Sequence, residues 1–169
     1  TEGLHWTALN RDRSLLTPTV DKDRLMRDPS IVRGPDGVFH MVWTTGWHDQ
    51  GIGIAHSKDL IEWSEQKRIG VMDHEPKCRN CGAPEIFSDR AKQQYLIFWA
   101  STVEGRFPET AGSCESNLNH RMYYVTTKDF ETYSETRLFF DPGFAVIDSF
   151  LVRDGQRYVL VTKDETRFP

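Results

Sequence analysis

The amino-acid sequence predicts an all-β fold built from repeated four-stranded units, on three observations. Apolar runs are short, β-branched and aromatic, and are closed off by Gly, Pro and Asp, as strands are. Helical periodicity is nearly absent over windows of about ten residues. The runs also recur in a fixed order, and repeated four-stranded units read as the blades of a β-propeller.

The first unit, about residues 28–69, carries "DPSIVRGPDGVFHMVWTT" and then "GIGIAHSKDLIEWSE". The second, about 83–140, carries "APEIFSDRAKQQYLIFWAST" and then "HRMYYVTTKDFETYSE". The third starts at about 147 with "IDSFLVRDGQRYVLVTKDE" and runs to 169. Strands are expected at "VFHMVWTT", "QYLIFWAST", "RMYYVTT" and "RYVLVTK". "SKDLIEWSE" matches "TKDFETYSE", with Lys58 and Lys128 70 residues apart. Each unit opens on an acid beside a short strand: Asp28, Glu85 and Asp148, spaced by 57 and 63 residues. Any one of them reads as a turn opener, since Asp before Pro commonly starts a turn. Three at the same point of three successive units are expected to meet at one mouth of a central channel. Gathered carboxylates repel and resist desolvation, so packing alone would not place them together.

At 169 residues, 38% hydrophobic and 27% charged, the chain reads as one domain over residues 1–169 with a sizeable core. A net charge of −4 without a basic block excludes an electrostatic footprint for nucleic acid or an anionic membrane. No apolar run approaches the roughly 18 residues of a membrane span. The N-terminus "TEGLHWTALN" has neither the basic nor the apolar region of a signal peptide; it begins at Thr, and the compartment stays open. Cys78, Cys81 and Cys114 make an odd count, against a full disulfide framework. A C-x-x-C at Cys78 and Cys81, after His74 and with Cys114 or His120, is a weak zinc pattern. Unpaired, partly buried thiols are expected instead, with no metal and no cofactor.

"RDPSI" with its "DG" turn, "AHSKDLIEWSE", "APEIFSD…YLIFWAST" and "VIDSFLVRDGQRYVLVTKDE" resemble glycoside hydrolase family 43 along nearly the whole chain. The resemblance implies a five-bladed β-propeller, of which about two and a half blades are expected here. It implies α-L-arabinofuranosidase, β-xylosidase or endo-arabinanase activity, an oligosaccharide or plant polysaccharide as substrate, and an inverting mechanism. Asp28 matches the general base. Asp148 matches the acid that orients the general acid and keeps it protonated. Glu85 matches a supporting second-blade acid. The family's general acid is a fourth-blade Glu, expected beyond Pro169. A second departure is Gly82, where the family typically has Trp.

Trp47, at a Gly-rich turn, is a candidate ring for a sugar face, whereas Trp43, inside an apolar strand, reads as core. His120 and Arg121 follow a polar loop and are candidates for hydrogen bonds to sugar hydroxyls, against the plainer reading of an exposed strand end. The loop Thr102 to Asn119 is long enough to shape a pocket. Open blade faces and strand edges lead to the expectation of a homodimer or higher homo-oligomer that closes the ring. A non-catalytic carbohydrate-binding or structural propeller is the alternative function.

Overall fold

A computed structural model describes residues 3–5, 7, 8, 10 and 13–167. Residues 168 and 169, the end expected for the third unit, lie outside the described residues, as do 1, 2, 6, 9, 11 and 12. The chain is all-β, with no α-helix among the described residues. No helix among them is long and apolar enough to cross a membrane.

Among the described residues, ten strands form three antiparallel sheets. β1 (Arg27–Arg33), β2 (Phe39–Thr44), β3 (Ile52–Ser57) and β4 (Lys67–Ile69) make the first sheet, in chain order. β5 (Gly82–Asp89), β6 (Gln94–Ser101), β7 (Arg121–Thr127) and β8 (Arg137–Phe140) make the second, again in chain order. β9 (Val146–Asp154) and β10 (Arg157–Asp164) pair as a two-stranded third sheet. The four strands read from the sequence correspond to β2, β6, β7 and β10.

Side-chain alternation explains why the central strands are apolar throughout. Along β6, Ile97 and Trp99 enter the core shared with Val42, Ile54 and Val125 of the neighbouring strands. The intervening Phe98 and Ala100 enter a second core with Met122, Val146, Leu151 and Leu160. A strand buried on both faces needs an unbroken apolar run, and "YLIFWA" is one. In β2, Val42 points to the first core, while Met41 and Trp43 point to a third with Leu16, Val20 and Met26. Trp43 is therefore core, as its position in an apolar strand predicts. Gly53 faces it across the ladder, and a Cβ there would lie 2.0 Å from the indole, so only glycine fits.

The matched segments "SKDLIEWSE" and "TKDFETYSE" fold as the same turn. Asp59 accepts N–H bonds from Ile61 and Glu62, both at 2.9 Å. Asp129 accepts them from Glu131 and Thr132 at 2.9 and 2.8 Å. Leu60 and Phe130 both have positive φ, 67° and 59°. Ser64 Oγ and Ser134 Oγ accept the N–H of His56 and Thr126 at 3.0 and 2.9 Å. These backbone bonds hold both carboxylates below the usual range, Asp129 at about 2.

Candidate active site

The first strand of each sheet carries a two-residue bulge at the same register. In β1 the residues between Arg27 and Ser30, Asp28 and Pro29, oppose Trp43 alone. In β5, Ala83 and Pro84 oppose Trp99 alone. In β9, Asp148 and Ser149 oppose Thr162 alone. The leading bulge residue has positive φ each time: 50° at Asp28, 47° at Ala83 and 51° at Asp148. A bulge turns its strand and re-aims the side chains beside it, and Asp tolerates the left-handed region better than most residues.

This register corrects the equivalence read from the sequence. The second-sheet counterpart of Asp28 and Asp148 is Ala83, not Glu85. Glu85 stands two residues on, at the place of Ser30 and Phe150. The sequence reading aligned acid with acid, whereas the backbone aligns "DPS", "APE" and "DSF".

The three acids nevertheless meet. Asp28, Glu85 and Asp148 line one cavity of about 180 Å³ together with Pro29, Pro84 and Phe150. Asp28 and Asp148 are exposed, and Glu85 is half-buried. Thr44 Oγ1 donates to Asp28 Oδ2 at 3.2 Å. Ser30 Oγ donates to Glu85 Oε2 at 2.6 Å and accepts the Ile86 N–H at 3.3 Å. Burial pushes the Glu85 carboxyl up, and the Ser30 hydroxyl opposes that rise. Lys163 Nζ lies 3.3 Å from Asp148 Oδ2, with both side chains about half exposed.

Other predicted site residues are placed elsewhere. His120 and Arg121 do not line this cavity and are 1% and 0% exposed. Asn80 Oδ1 accepts the Thr102 N–H at 3.2 Å, which orients its amide to donate to His120 Nε2 at 2.8 Å. His120 then carries its proton on Nδ1 and donates to Glu165 Oε2 at 2.6 Å. That bond ties the second sheet to the end of the third. Arg121 bonds Asp141 at 2.5 Å, Asn119 at 3.0 Å and Thr110 at 2.8 Å, and its guanidinium lies over Phe107. Its bonds to Thr110 and Asn119 anchor the 102–119 loop. Arg121 begins β7 and His120 stands just before it, at a buried strand end rather than an exposed one; the polar partners 20 and 45 residues onward were invisible to local pattern.

Trp47 is 60% exposed, with the guanidinium of Arg27, the residue before Asp28, 4.5 Å from its ring. The structure shows room at Gly82, where an added Cβ would meet only Asn80 Nδ2, at 3.8 Å. Cys78 and Cys81 are buried free thiols, Cys114 is partly exposed, and His74 is exposed. No group of three or more His, Cys, Asp or Glu is placed to hold a metal among the described residues.

The profile of a family described as "probable glycosyl hydrolase domain", related to glycoside hydrolase family 43, matches residues 1–168. An α-L-arabinofuranosidase of Bifidobacterium longum is 24% identical over 176 residues, covering 92% of this chain and 16% of that protein. The crystal structure of the family 43 protein BlXynB from Bacillus licheniformis superposes with a TM-score of 0.63 at 24% identity, over 88% of this chain and 28% of that one. That of an α-L-arabinofuranosidase from Lactobacillus brevis gives 0.61 at 17% identity, over 85% and 46%. The chain thus spans less than half the length of each of these relatives. Their identities carry the fold, and the profile carries the family: this chain belongs to the probable glycosyl hydrolase domain family related to glycoside hydrolase family 43.

Proposed function

We propose that the cavity of Asp28, Glu85 and Asp148 is the base side of an inverting glycosidase site acting on arabinose- or xylose-containing glycans. The observation that carries this reading is the meeting of three carboxyl groups, one from each sheet, at one cavity. Asp28 takes the proton of the water that attacks the anomeric carbon. The proton donor stands across the glycosidic bond, about 6.5–9.5 Å from the base, and comes from outside residues 13–167. Asp148 keeps that donor protonated through like-charge repulsion. Glu85 supports the site, and the exposed face of Trp47 offers a ring for the sugar. The α-L-arabinofuranosidases among the similar proteins support the sugar class.

The test uses leaving groups that depart without a proton. Dinitrophenyl α-L-arabinofuranoside and β-D-xyloside bypass the donor, so the base side alone should turn over at least one of them. Activity that disappears in Asp28→Asn supports the reading; equal rates in wild type and variant contradict it. A second reading, sugar binding without turnover, is favoured by one contact. Lys163 offsets the charge of Asp148 and so weakens the repulsion that a donor needs. Calorimetric binding of arabino-oligosaccharide with no release of dinitrophenol would establish it.

Homodimerisation belongs to the same proposal. Phe150, Val152, Val159 and Val161 pair across β9 and β10 and are 40–56% exposed, an apolar face beside the cavity that a second copy would cover. Light scattering at micromolar concentration tests it, and a monomeric mass overturns it.

A further inference from the structure

The three bulges also differ in the residue paired with the one just before each bulge. That residue is Thr44 opposite Arg27, Ala100 opposite Gly82, and Lys163 opposite Ile147. Where the bulge leads with an acid, this partner reaches it: Thr44 Oγ1 to Asp28 at 3.2 Å, and Lys163 Nζ to Asp148 at 3.3 Å. Where the bulge leads with Ala83, the partner is Ala100. Polar partner and bulge acid therefore occur together, and both are absent together.

Thr44 is the more constrained of the two. It is 4% exposed, and its hydroxyl also accepts the N–H of Ala83, the leading residue of the second bulge, at 2.9 Å. A hydroxyl has one proton. With a lone pair committed to Ala83, that proton goes to Asp28 Oδ2. Thr44 thus fixes one carboxylate oxygen of Asp28 and refers it to the backbone of the next sheet.

We propose that Thr44 is the positioning residue of Asp28, holding its carboxylate at the cavity through a hydroxyl relay from the Ala83 N–H. The inference rests on the hydrolase reading of Asp28. Its test separates the two through a spectroscopic measurement that needs no turnover.

In carbon-detected NMR of the intact chain, Thr44→Val should move both the Asp28 side-chain carboxyl resonance and the Ala83 amide proton. Thr44→Ser, which keeps the hydroxyl, should return both close to their wild-type positions. An Asp28 carboxyl resonance unchanged in Thr44→Val overturns the proposal. So does one displaced equally in Thr44→Ser, because that is the mark of a packing change. On the dinitrophenyl glycosides, Thr44→Val should lose about tenfold in kcat with KM nearly constant, and Thr44→Ser should recover most of it. A loss confined to KM overturns the positioning role. Wild-type chain without any turnover refutes the hydrolase reading alone, and the two resonances still decide the relay.

Discussion

The two ends of the sheets repeat in different ways. At the outer turns, the hydrogen-bonding side chains of the first and second units agree: Ser57 with Thr127, Asp59 with Asp129, Ser64 with Ser134. At the inner bulges the backbone repeats and the chemistry does not: Asp28, Ala83 and Asp148 share a register and a positive φ but not a side-chain type. The outer turns do one job twice, satisfying backbone N–H groups where a strand ends, so the same residues suit both. The bulges converge on one cavity, to which the first and third bring an Asp and the second brings Ala83, with Glu85 two residues on. That contrast, a repeat uniform at the turns and varied at the cavity, is what sets the proposed site apart from the rest of the sheets.

Several substitutions would break or sharpen that contrast, and the largest effect is expected at a bulge. Asp28→Asn should lower turnover of an activated glycoside by about 10²–10⁴-fold while leaving the thermal midpoint nearly unchanged. An outer-turn substitution should do the reverse.

The next effect is a pH dependence of stability at the outer end. His40 is buried, its Nδ1 2.8 Å from His56 Nδ1, and burial beside His56 lowers it from 6.5 to about 4. Burial lowers His56 as well. Above 6.5 both folded and unfolded chains hold His40 neutral, and its full contribution is present. As pH falls from 6.5 toward 4 the unfolded chain takes up the proton first, so stability is lost across that window, by roughly 3 kcal/mol from His40 alone. Urea denaturation at intervals across it measures the slope, and His40→Phe should flatten it.

One apolar difference between the outer turns is Leu60 against Phe130. Phe130 stacks on His40 with centroids 4.1 Å apart and packs against Tyr95 at 4.5 Å. Phe130→Leu should therefore cost about 1–2 kcal/mol by chemical denaturation, whereas Leu60→Phe should gain nothing. Ser30→Ala removes the hydroxyl that opposes the burial effect on Glu85, so the Glu85 titration followed by NMR should move upward. The smallest expected effect is at the second bulge. Ala83 adopts a left-handed conformation that costs an L-residue about 1–2 kcal/mol, and Gly loses about half of that gain to chain entropy. Ala83→Gly should stabilise by less than about 1 kcal/mol, read by chemical denaturation.

Much of this was legible in the sequence, for physical reasons. "QYLIFWAST" reads as a strand because a two-faced buried strand must be apolar at every position. The paired "SKD" and "TKD" segments read as a repeat because both turns need the same acceptors. The three acids of the cavity were legible as a set, since each opens a unit. Their register was not, because a bulge adds a residue without marking it. "APE" set beside "DPS" and "DSF" aligns correctly only once Ala83 is seen in the left-handed region. The fate of His120 and Arg121 was equally hidden, since it depends on Asn80, Asp141 and Glu165, far along the chain.

The account stands most directly on one measurement: amide and side-chain NMR of the intact chain titrated with an arabinofuranose- or xylose-terminated oligosaccharide. It predicts that the perturbed resonances centre on Asp28, Ala83, Glu85 and Asp148, with the outer turns at Asp59 and Asp129 unmoved. Perturbation centred on the outer turns, or none at the bulges under saturating sugar, would contradict it.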